Sequence, residues 1–473
     1  MMTLSKYIHA LHIGNGFMLY HAITAKVIFI SEEQFEGLRN GSNTVFSDSQ
    51  LEILSKKGFL SDENEFSTDH LPHSNHQSQP DVFALYLILT EECNMQCTYC
   101  SQSSFRTRER MKNMSPETVE SVLGKFYSVA TERKRTIVLY GGEPTLNRDG
   151  IEKVVAYVRE KRNDWNTEIV IFTNGILLDD AFIDLLQKGN VYVILSMDGD
   201  EKTNDTFRRY GQEGSFKYIN MSIDKFKEKR IQFGFSLTIA SHNIDRLDEI
   251  VKFFIEEYHP FSIGINPLHY VPEGRACVSV DFDYASEKMI DAYKVAAEYG
   301  VYIEQIMRRV RPFVMSTPRL KDCPSCGGMV RVLPDGSFGP CGHFMEEERE
   351  REDADYKFEK SRVMQKWNSR INVRIDECES CPAIALCGGG CPYNSLKNHG
   401  DIFSANDKRT CTQADFFLKW MLSELVSEYY DNQFKEVTQQ EKRMLLGNIS
   451  LEAFVPMQEY SKYGEFKIDA RYL

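Results

Sequence analysis

No run of apolar residues in this 473-residue chain approaches the roughly 20 that a membrane-spanning helix needs. The first stretch, Met1 to Ser31, lacks the charged-then-apolar pattern of a secretory signal, so the chain is expected in the cytoplasm. Basic residues are in deficit: 56 Lys and Arg stand against 69 Asp and Glu, a formal charge of −13. That balance argues against a nucleic-acid or anionic-membrane partner. There is no repeat of solenoid type and no long low-complexity tract. No cysteine occurs between Cys100 and Cys277, although the chain has 12 in all. In a reducing compartment such clustered cysteines are metal ligands more readily than disulfides. A hydrophobic content of 42% supports ordered globular structure, and the length suggests two to four domains.

From Val82 the chain alternates short apolar runs with amphipathic stretches. The runs Val82–Thr90, Thr136–Tyr140, Glu168–Phe172, Val191–Met197, Gln232–Ala240 and Phe261–Leu268 read as strands. Helical patterns lie between them at Ile151–Lys161, Ala181–Lys188, Phe216–Lys229 and Ile244–Tyr258, with Asp283–Tyr299 after the sixth. One helix begins at Ser115-Pro116-Glu117, an N-cap, a proline at the first helical position and an early acid. Six strand–helix alternations predict an α/β fold, a partial (β/α)6 TIM-like barrel over 81–303, whose chemistry lies at the C-terminal ends of the strands. Residues 1–60 form a separate small module. Phe17–Tyr20 and Val27–Ile30 suit a hairpin, and Ser31–Arg39 and Ser47–Lys57 look helical. Residues 61–80 have linker composition, and the three histidines there, His70, His73 and His76, read as solvated. Cysteine density rises over 304–415, and 416–473 begins helical and ends in a tail carrying Tyr460, Tyr463 and Tyr472.

The first strand opens into Cys93-Asn94-Met95-Gln96-Cys97-Thr98-Tyr99-Cys100. Three thiolates leave one iron of a [4Fe–4S] cube open to a non-protein ligand, and an open position on a metal centre points to chemistry. A zinc site is the poorer reading, because the knuckle has no partner nearby. The spacing Cys-x3-Cys-x2-Cys with an aromatic before the last cysteine resembles the radical S-adenosylmethionine (SAM) superfamily. The resemblance implies that Cys93, Cys97 and Cys100 hold a [4Fe–4S] cluster whose open iron is chelated by SAM. It also implies reductive cleavage of SAM to a 5′-deoxyadenosyl radical that takes a hydrogen atom from substrate.

Further motifs follow at later strand ends. Gly141-Gly142-Glu143-Pro144 resembles the family's Gly-Gly-Glu-Pro turn, which holds the SAM amino group; glycine also lets backbone approach a ligand closely. Ser196-Met197-Asp198-Gly199 with Arg208 is similar to the stretch whose serine and arginine contact SAM. Asn174 closes the third strand, and Tyr99 belongs to the cluster loop. The resemblance thus implies a cofactor site of Tyr99, Gly141, Gly142, Glu143, Pro144, Asn174, Ser196 and Arg208. A His-Asp pair common in the family reads Asn204-Asp205 here, so no role is carried to position 204; Asp205 suits a helix cap. The sixth strand, Ile263 to Pro267, could offer backbone to adenine or serve only as core.

The later cysteines are spaced Cys323-x2-Cys326-x9-Gly336-x4-Cys341 and Cys378-x2-Cys381-x5-Cys387-x3-Cys391-x19-Cys411. Eight thiolates suit two fully ligated [4Fe–4S] clusters, and Gly388-Gly389-Gly390 suits tight backbone wrapping. A pair of structural zinc sites is the alternative. The pattern resembles the C-terminal SPASM extension of radical SAM peptide-modifying enzymes. That resemblance implies one auxiliary cluster on Cys323, Cys326, Cys341 and Cys391 and a second on Cys378, Cys381, Cys387 and Cys411, three clusters in all. Relatives space the first two cysteines differently, which leaves Cys323 the least settled ligand. Cys277 belongs to no pattern.

The SPASM group includes maturases of ribosomal peptides, activators of anaerobic sulfatases that generate formylglycine, and crosslinkers of dehydrogenase subunits. The module at 1–60 resembles in outline a winged-helix-like leader-peptide recognition element, and sulfatase activators usually lack such a segment ahead of the cysteine loop. The expectation is a peptide maturase: an oxidoreductase that modifies or crosslinks a precursor peptide or protein and is reduced by flavodoxin or ferredoxin. A cluster-bearing electron carrier or sensor without SAM chemistry is the non-enzyme alternative.

Overall fold

The computed structural model describes residues 3–42, 44–61, 79–100, 112–161, 166–176, 178–268, 279–342, 350–404, 407–429 and 432–446. Residues 62–78 of the proposed linker with its three histidines, Cys277 and the tyrosine tail lie outside these residues. The described chain forms two compact units, one of 3–61, 306–323 and 370–446, the other of 79–305 and 324–369.

In the first unit, strands β1 (Ile8–Ile13), β2 (Gly16–His21) and β3 (Lys26–Ser31) form an antiparallel meander, and Lys435–Glu436 adds to the outer edge of β3. The expected hairpin is β2–β3, with Tyr20 opposite Val27. Strand β1 was not expected; it is an edge strand whose middle is exposed, so its sequence alternates weakly. Helices α1 (Glu32–Arg39) and α2 (Asp48–Lys56) each begin with a capping box, Ser31 with Gln34 and Ser47 with Gln50. Leu19, Ile28, Ile30, Leu38, Leu54 and Phe59 fill the core beneath them.

His21 ends β2 inside this core. Its Nδ1 accepts the Ile23 and Thr24 amides at 3.2 and 3.3 Å. Burial, with Lys26 nearby, lowers the imidazole from 6.5 to about 4. The neutral ring is favoured only in the fold, so its contribution is complete above pH 6.5 and wanes as pH falls toward about 4. The loss amounts to about 3 kcal/mol. Hydrogen exchange at Ile23 and Thr24, corrected for intrinsic rates, should therefore accelerate over that window, and His21→Phe should abolish the acid-dependent part.

The second unit is built on six parallel strands: β4 (Ala84–Thr90), β5 (Arg135–Gly141), β6 (Thr167–Thr173), β7 (Val191–Ser196), β8 (Phe233–Ile239) and β9 (Ser262–Pro267). They lie in chain order across one sheet. Tyr302–Ile303 extends it beyond β9, and Met329–Val332 runs parallel beside β4, followed by Phe338–Gly339. Helices α3 (Pro116–Ser128), α4 (Arg148–Glu160), α5 (Asp180–Gly189), α6 (Phe216–Lys229) and α7 (Leu247–Tyr258) fall between successive strands, and α8 (Phe282–Glu298) follows β9. The strands read clearly because they are covered on both faces, as in β5, where Ile137, Val138 and Leu139 have no exposed surface. Helix α7 starts three residues later than its pattern suggests, after a 3₁₀ turn at Ile244–Arg246. Among the described residues no helix is long and apolar enough to cross a membrane.

Candidate active site

The three-cysteine loop leaves the C-terminal end of β4. Its backbone is pinned by two hydrogen bonds, Gln96 N–H to the Arg209 carbonyl and Thr98 N–H to the Phe207 carbonyl, both 3.0 Å. Cys97 sits at the centre, within electrostatic reach of Cys93 and Cys100. The residue is half-buried, yet enough protein surrounds its sulfur to push the thiol up to about 12; Arg208 opposes that shift. A cation poised on a buried thiol is the arrangement a ligating thiolate needs.

Asp198, wholly buried just beyond β7, organises the surroundings. Its Oδ2 accepts the Tyr99 hydroxyl at 2.5 Å and lies 3.2 Å from Arg208 Nε; its Oδ1 accepts the Thr238 amide at 3.0 Å. The Arg208 guanidinium reaches Cys97 Sγ at 4.0 Å. Burial alone would lower the Arg208 pKa; the Asp198 carboxylate, with Tyr99 and Cys97, more than offsets it and holds the guanidinium charged. One ion pair thus ties the cluster loop to β7 and β8.

The glycine–acid turn serves a second purpose beyond ligand approach. A Cβ on Gly141 would stand 2.3 Å from the Thr90 carbonyl oxygen, and one on Gly142 would stand 2.1 Å from that of Glu92. Both glycines let β5 press against the backbone entering the cysteine loop, where Gly142 and Glu143 donate to Thr90 and Glu92 at 2.9 and 2.8 Å. Glu143 is buried, which raises its carboxyl, and four hydrogen bonds offset part of that burial. Its Oε1 accepts from the Thr145 amide and from the hydroxyls of Thr145 and Thr173; its Oε2 accepts the Asn174 amide at 2.7 Å. Asn174 in turn donates to Asn94 Oδ1 at 2.7 Å, inside the cysteine loop. Pro144 starts the 3₁₀ turn that Glu143 caps, and Ser196 ends β7 opposite Ser236 of β8.

The structure therefore brings Cys93, Cys97, Cys100, Tyr99, Glu143, Asn174 and Arg208 into one connected network at the strand ends. Position 204, which the sequence left without a role, is a buried brace: Asn204 Oδ1 accepts the Asp198 amide at 3.2 Å and its amide group donates to Ser215 at 3.0 Å. Asp205 accepts the Phe216 amide at 2.9 Å, the helix cap expected of it. Asn94, Asp198 and His242 were not singled out. Asn94 and Asp198 lie inside quoted motifs, whereas His242 follows β8 with no sequence signal. Its Nε2 stands 3.8 Å from Asp198 Oδ2. Asn94 Nδ2 and both His242 ring nitrogens are buried without a hydrogen-bond partner in the polypeptide, as suits polar atoms beside a polar small molecule.

In the first unit, Cys378, Cys381, Cys387 and Cys411 interact electrostatically with one another. A hydrogen bond from Cys411 lowers the Cys387 thiol to about 7, whereas burial pushes Cys378 up to about 12. Among the described residues no three His, Cys, Asp or Glu side chains converge as the ligands of a single ion would, so the four sulfurs are neighbours with one close pair. The turn between Cys387 and Cys391 has three left-handed glycines, Gly388, Gly389 and Gly390, at φ +71°, +84° and +69°. Buried Arg370 donates to the carbonyls of Gly389 and Gly390 at 2.5 and 3.4 Å. Of the remaining pattern, Cys323 and Cys391 belong to the first unit, and Cys326 and Cys341 to the second.

The parallel strand–helix sheet thus bears three cysteines after its first strand and a Gly-Gly-Glu-Pro turn after its second. Residues 87–254 match the model of the radical SAM superfamily, and the chain carries a radical SAM domain. That domain implies SAM and a [4Fe–4S] cluster. It is 24% identical over 460 residues to the radical SAM cyclopropyl synthase TigE of Paramaledivibacter caminithermalis, covering 87% of this chain and 93% of that one. It is 24% identical over 337 residues to a cysteine-type anaerobic sulfatase-maturating enzyme of Clostridium perfringens, covering 66% and 89%. The crystal structure of Streptococcus suis SuiB bound to its precursor peptide SuiA shares the fold, with a TM-score of 0.56 and 16% identity over 87% of this chain and all of that one.

Proposed function

We propose that this chain cleaves SAM reductively at a cluster on Cys93, Cys97 and Cys100 and oxidatively modifies or crosslinks a ribosomally made precursor peptide. The observation that carries the reading is the three-thiol loop joined through Tyr99 and Arg208 to buried Asp198. Gly141, Gly142, Glu143, Pro144, Asn174, Ser196 and Arg208 shape the SAM pocket around it. When bound, SAM and its cluster supply a 5′-deoxyadenosyl radical that takes a hydrogen atom from the peptide, and auxiliary clusters supply an acceptor for the electron released as the new bond closes. One hydrogen leaves in 5′-deoxyadenosine and one as a proton. Cys378, Cys381, Cys387 and Cys411 hold the second auxiliary cluster; sequence resemblance assigns the first to Cys323, Cys326, Cys341 and Cys391. Flavodoxin or ferredoxin supplies the electron.

One structural neighbour favours a peptide substrate: SuiB was solved with a precursor peptide. The module at 1–60 offers an edge, β1, to which a leader could add as a further strand. Anaerobic co-expression with a small precursor from a neighbouring gene, followed by mass spectrometry, tests the reading. A peptide lighter by two hydrogens per crosslink, with 5′-deoxyadenosine formed, is expected. An unchanged precursor beside a sulfatase whose serine or cysteine has become formylglycine would move the chain to the sulfatase activators.

A further inference from the structure

Tyr20 stands opposite His9 and Val27 in the middle strand of the N-terminal meander and has no exposed surface. Its hydroxyl is buried and finds no acceptor in the polypeptide. A phenylalanine would fill the same space without leaving a polar atom unpaired, so the hydroxyl calls for a partner other than the surrounding side chains. Three observations place it beside the second cysteine group of the same unit. Lys6, just ahead of β1, forms an ion pair at 3.2 Å with Glu379, which lies between Cys378 and Cys381. The Tyr20 ring lies 6.3 Å from that of Phe313, on the helix whose Arg309 donates to the Cys387 carbonyl at 3.1 Å. The Cys381 thiol is close enough for its charge to act on the Tyr20 hydroxyl.

We infer that Tyr20 is a positioning residue for the second auxiliary cluster: its O–H donates a hydrogen bond to a sulfide of that cluster and raises the cluster's reduction potential. The inference rests on the reading that Cys378, Cys381, Cys387 and Cys411 hold a [4Fe–4S] cluster. A donor aimed at cluster sulfur stabilises the more negative, reduced state, because extra electron density resides partly on sulfur. No proton needs to move; the hydroxyl stays protonated throughout.

The test compares the anaerobically reconstituted full-length protein with Tyr20→Phe, using iron and sulfide analysis and potentiometric titration followed by electron paramagnetic resonance. Cys411→Ala, which removes a ligand of the second auxiliary cluster, identifies which signal belongs to it. Tyr20→Phe should keep the full complement of about twelve irons. Its second auxiliary cluster should become harder to reduce, with the reduced-to-oxidised ratio down about tenfold, or about 59 mV for one electron. The other two potentials should stay put, and one exchangeable proton coupled to the reduced cluster should vanish from the electron–nuclear double resonance spectrum. Unchanged potentials and proton couplings at full iron content would overturn the role of Tyr20, since water alone would then satisfy the hydroxyl. A wild-type protein with only about eight irons, and no signal lost in Cys411→Ala, would instead overturn the cluster assignment and the inference with it.

Discussion

Cys97→Ala should form no detectable 5′-deoxyadenosine from SAM under dithionite, while keeping about eight of about twelve irons. Cys97 is the middle thiol of the loop, and the Arg208 guanidinium reaches it at 4.0 Å. Two thiols, Cys93 and Cys100, would remain to hold a cube that needs three to leave a single open iron. The loop itself should stay folded, because its anchors are backbone bonds to Phe207 and Arg209 and the Tyr99–Asp198 hydrogen bond, none of which uses the sulfur. A graded comparison sharpens the point. Asp198→Asn leaves all three thiols in place but weakens the hold on Arg208 and Tyr99. It should retain iron and lose part of the rate, about 10²-fold for a misplacement near 1 Å. Liquid chromatography of the nucleoside product with iron analysis separates the two variants. Turnover by Cys97→Ala at a rate near wild type would remove this loop from the chemistry.

Much of the barrel could be read in advance because its strands are covered on both faces and so appear as near-continuous apolar runs, while Ser115-Pro116 and similar caps mark the helix starts. The cluster loop was equally readable, since its ligands are close neighbours in sequence. What escaped was whatever depends on distant partners. Asp198 draws together Tyr99, Arg208 and Thr238 from three separate parts of the chain, and nothing local in Ser196-Met197-Asp198-Gly199 announces that. Glycines 141 and 142 were credited with approach to a ligand, yet the backbone they touch is that of Thr90 and Glu92. Tyr20 looked like one more aromatic in a strand; its unpaired hydroxyl becomes visible only once the meander and the Cys378–Cys381 loop share a unit. Strand β1, exposed along its middle, carried too little apolar alternation to stand out.

Arg309→Met should destabilise the first unit by about 3 kcal/mol and release about four irons from the protein. Arg309 is buried and donates to Asp322 Oδ1 at 2.6 Å and to the carbonyls of Leu386 and Cys387 at 3.2 and 3.1 Å. Asp322 reinforces the same turn through its own amide, which donates to Gly388 at 2.8 Å. Burial would raise the Asp322 carboxyl, but Arg309, with Arg308 and Arg319, holds it well below its usual value of 3.8. The pair's stabilisation is thus complete above that value and lost only as pH falls beneath it. Removing the cation leaves a buried carboxylate short of its main partner and frees the two carbonyls that set the Cys387 turn, so stability and cluster retention should fall together. Replacing both partners, Arg309→Met with Asp322→Leu, should recover much of the stability, because a buried pair exchanged for apolar groups is often neutral. It should not recover the iron, because the carbonyls of Leu386 and Cys387 still lack their donor. Thermal melts of the apo-proteins read the first quantity and iron analysis after reconstitution reads the second. SAM cleavage at Cys93, Cys97 and Cys100 should persist in both variants. A double variant that regains iron along with stability would mean that the ion pair acts through stability alone and that the turn needs no guanidinium.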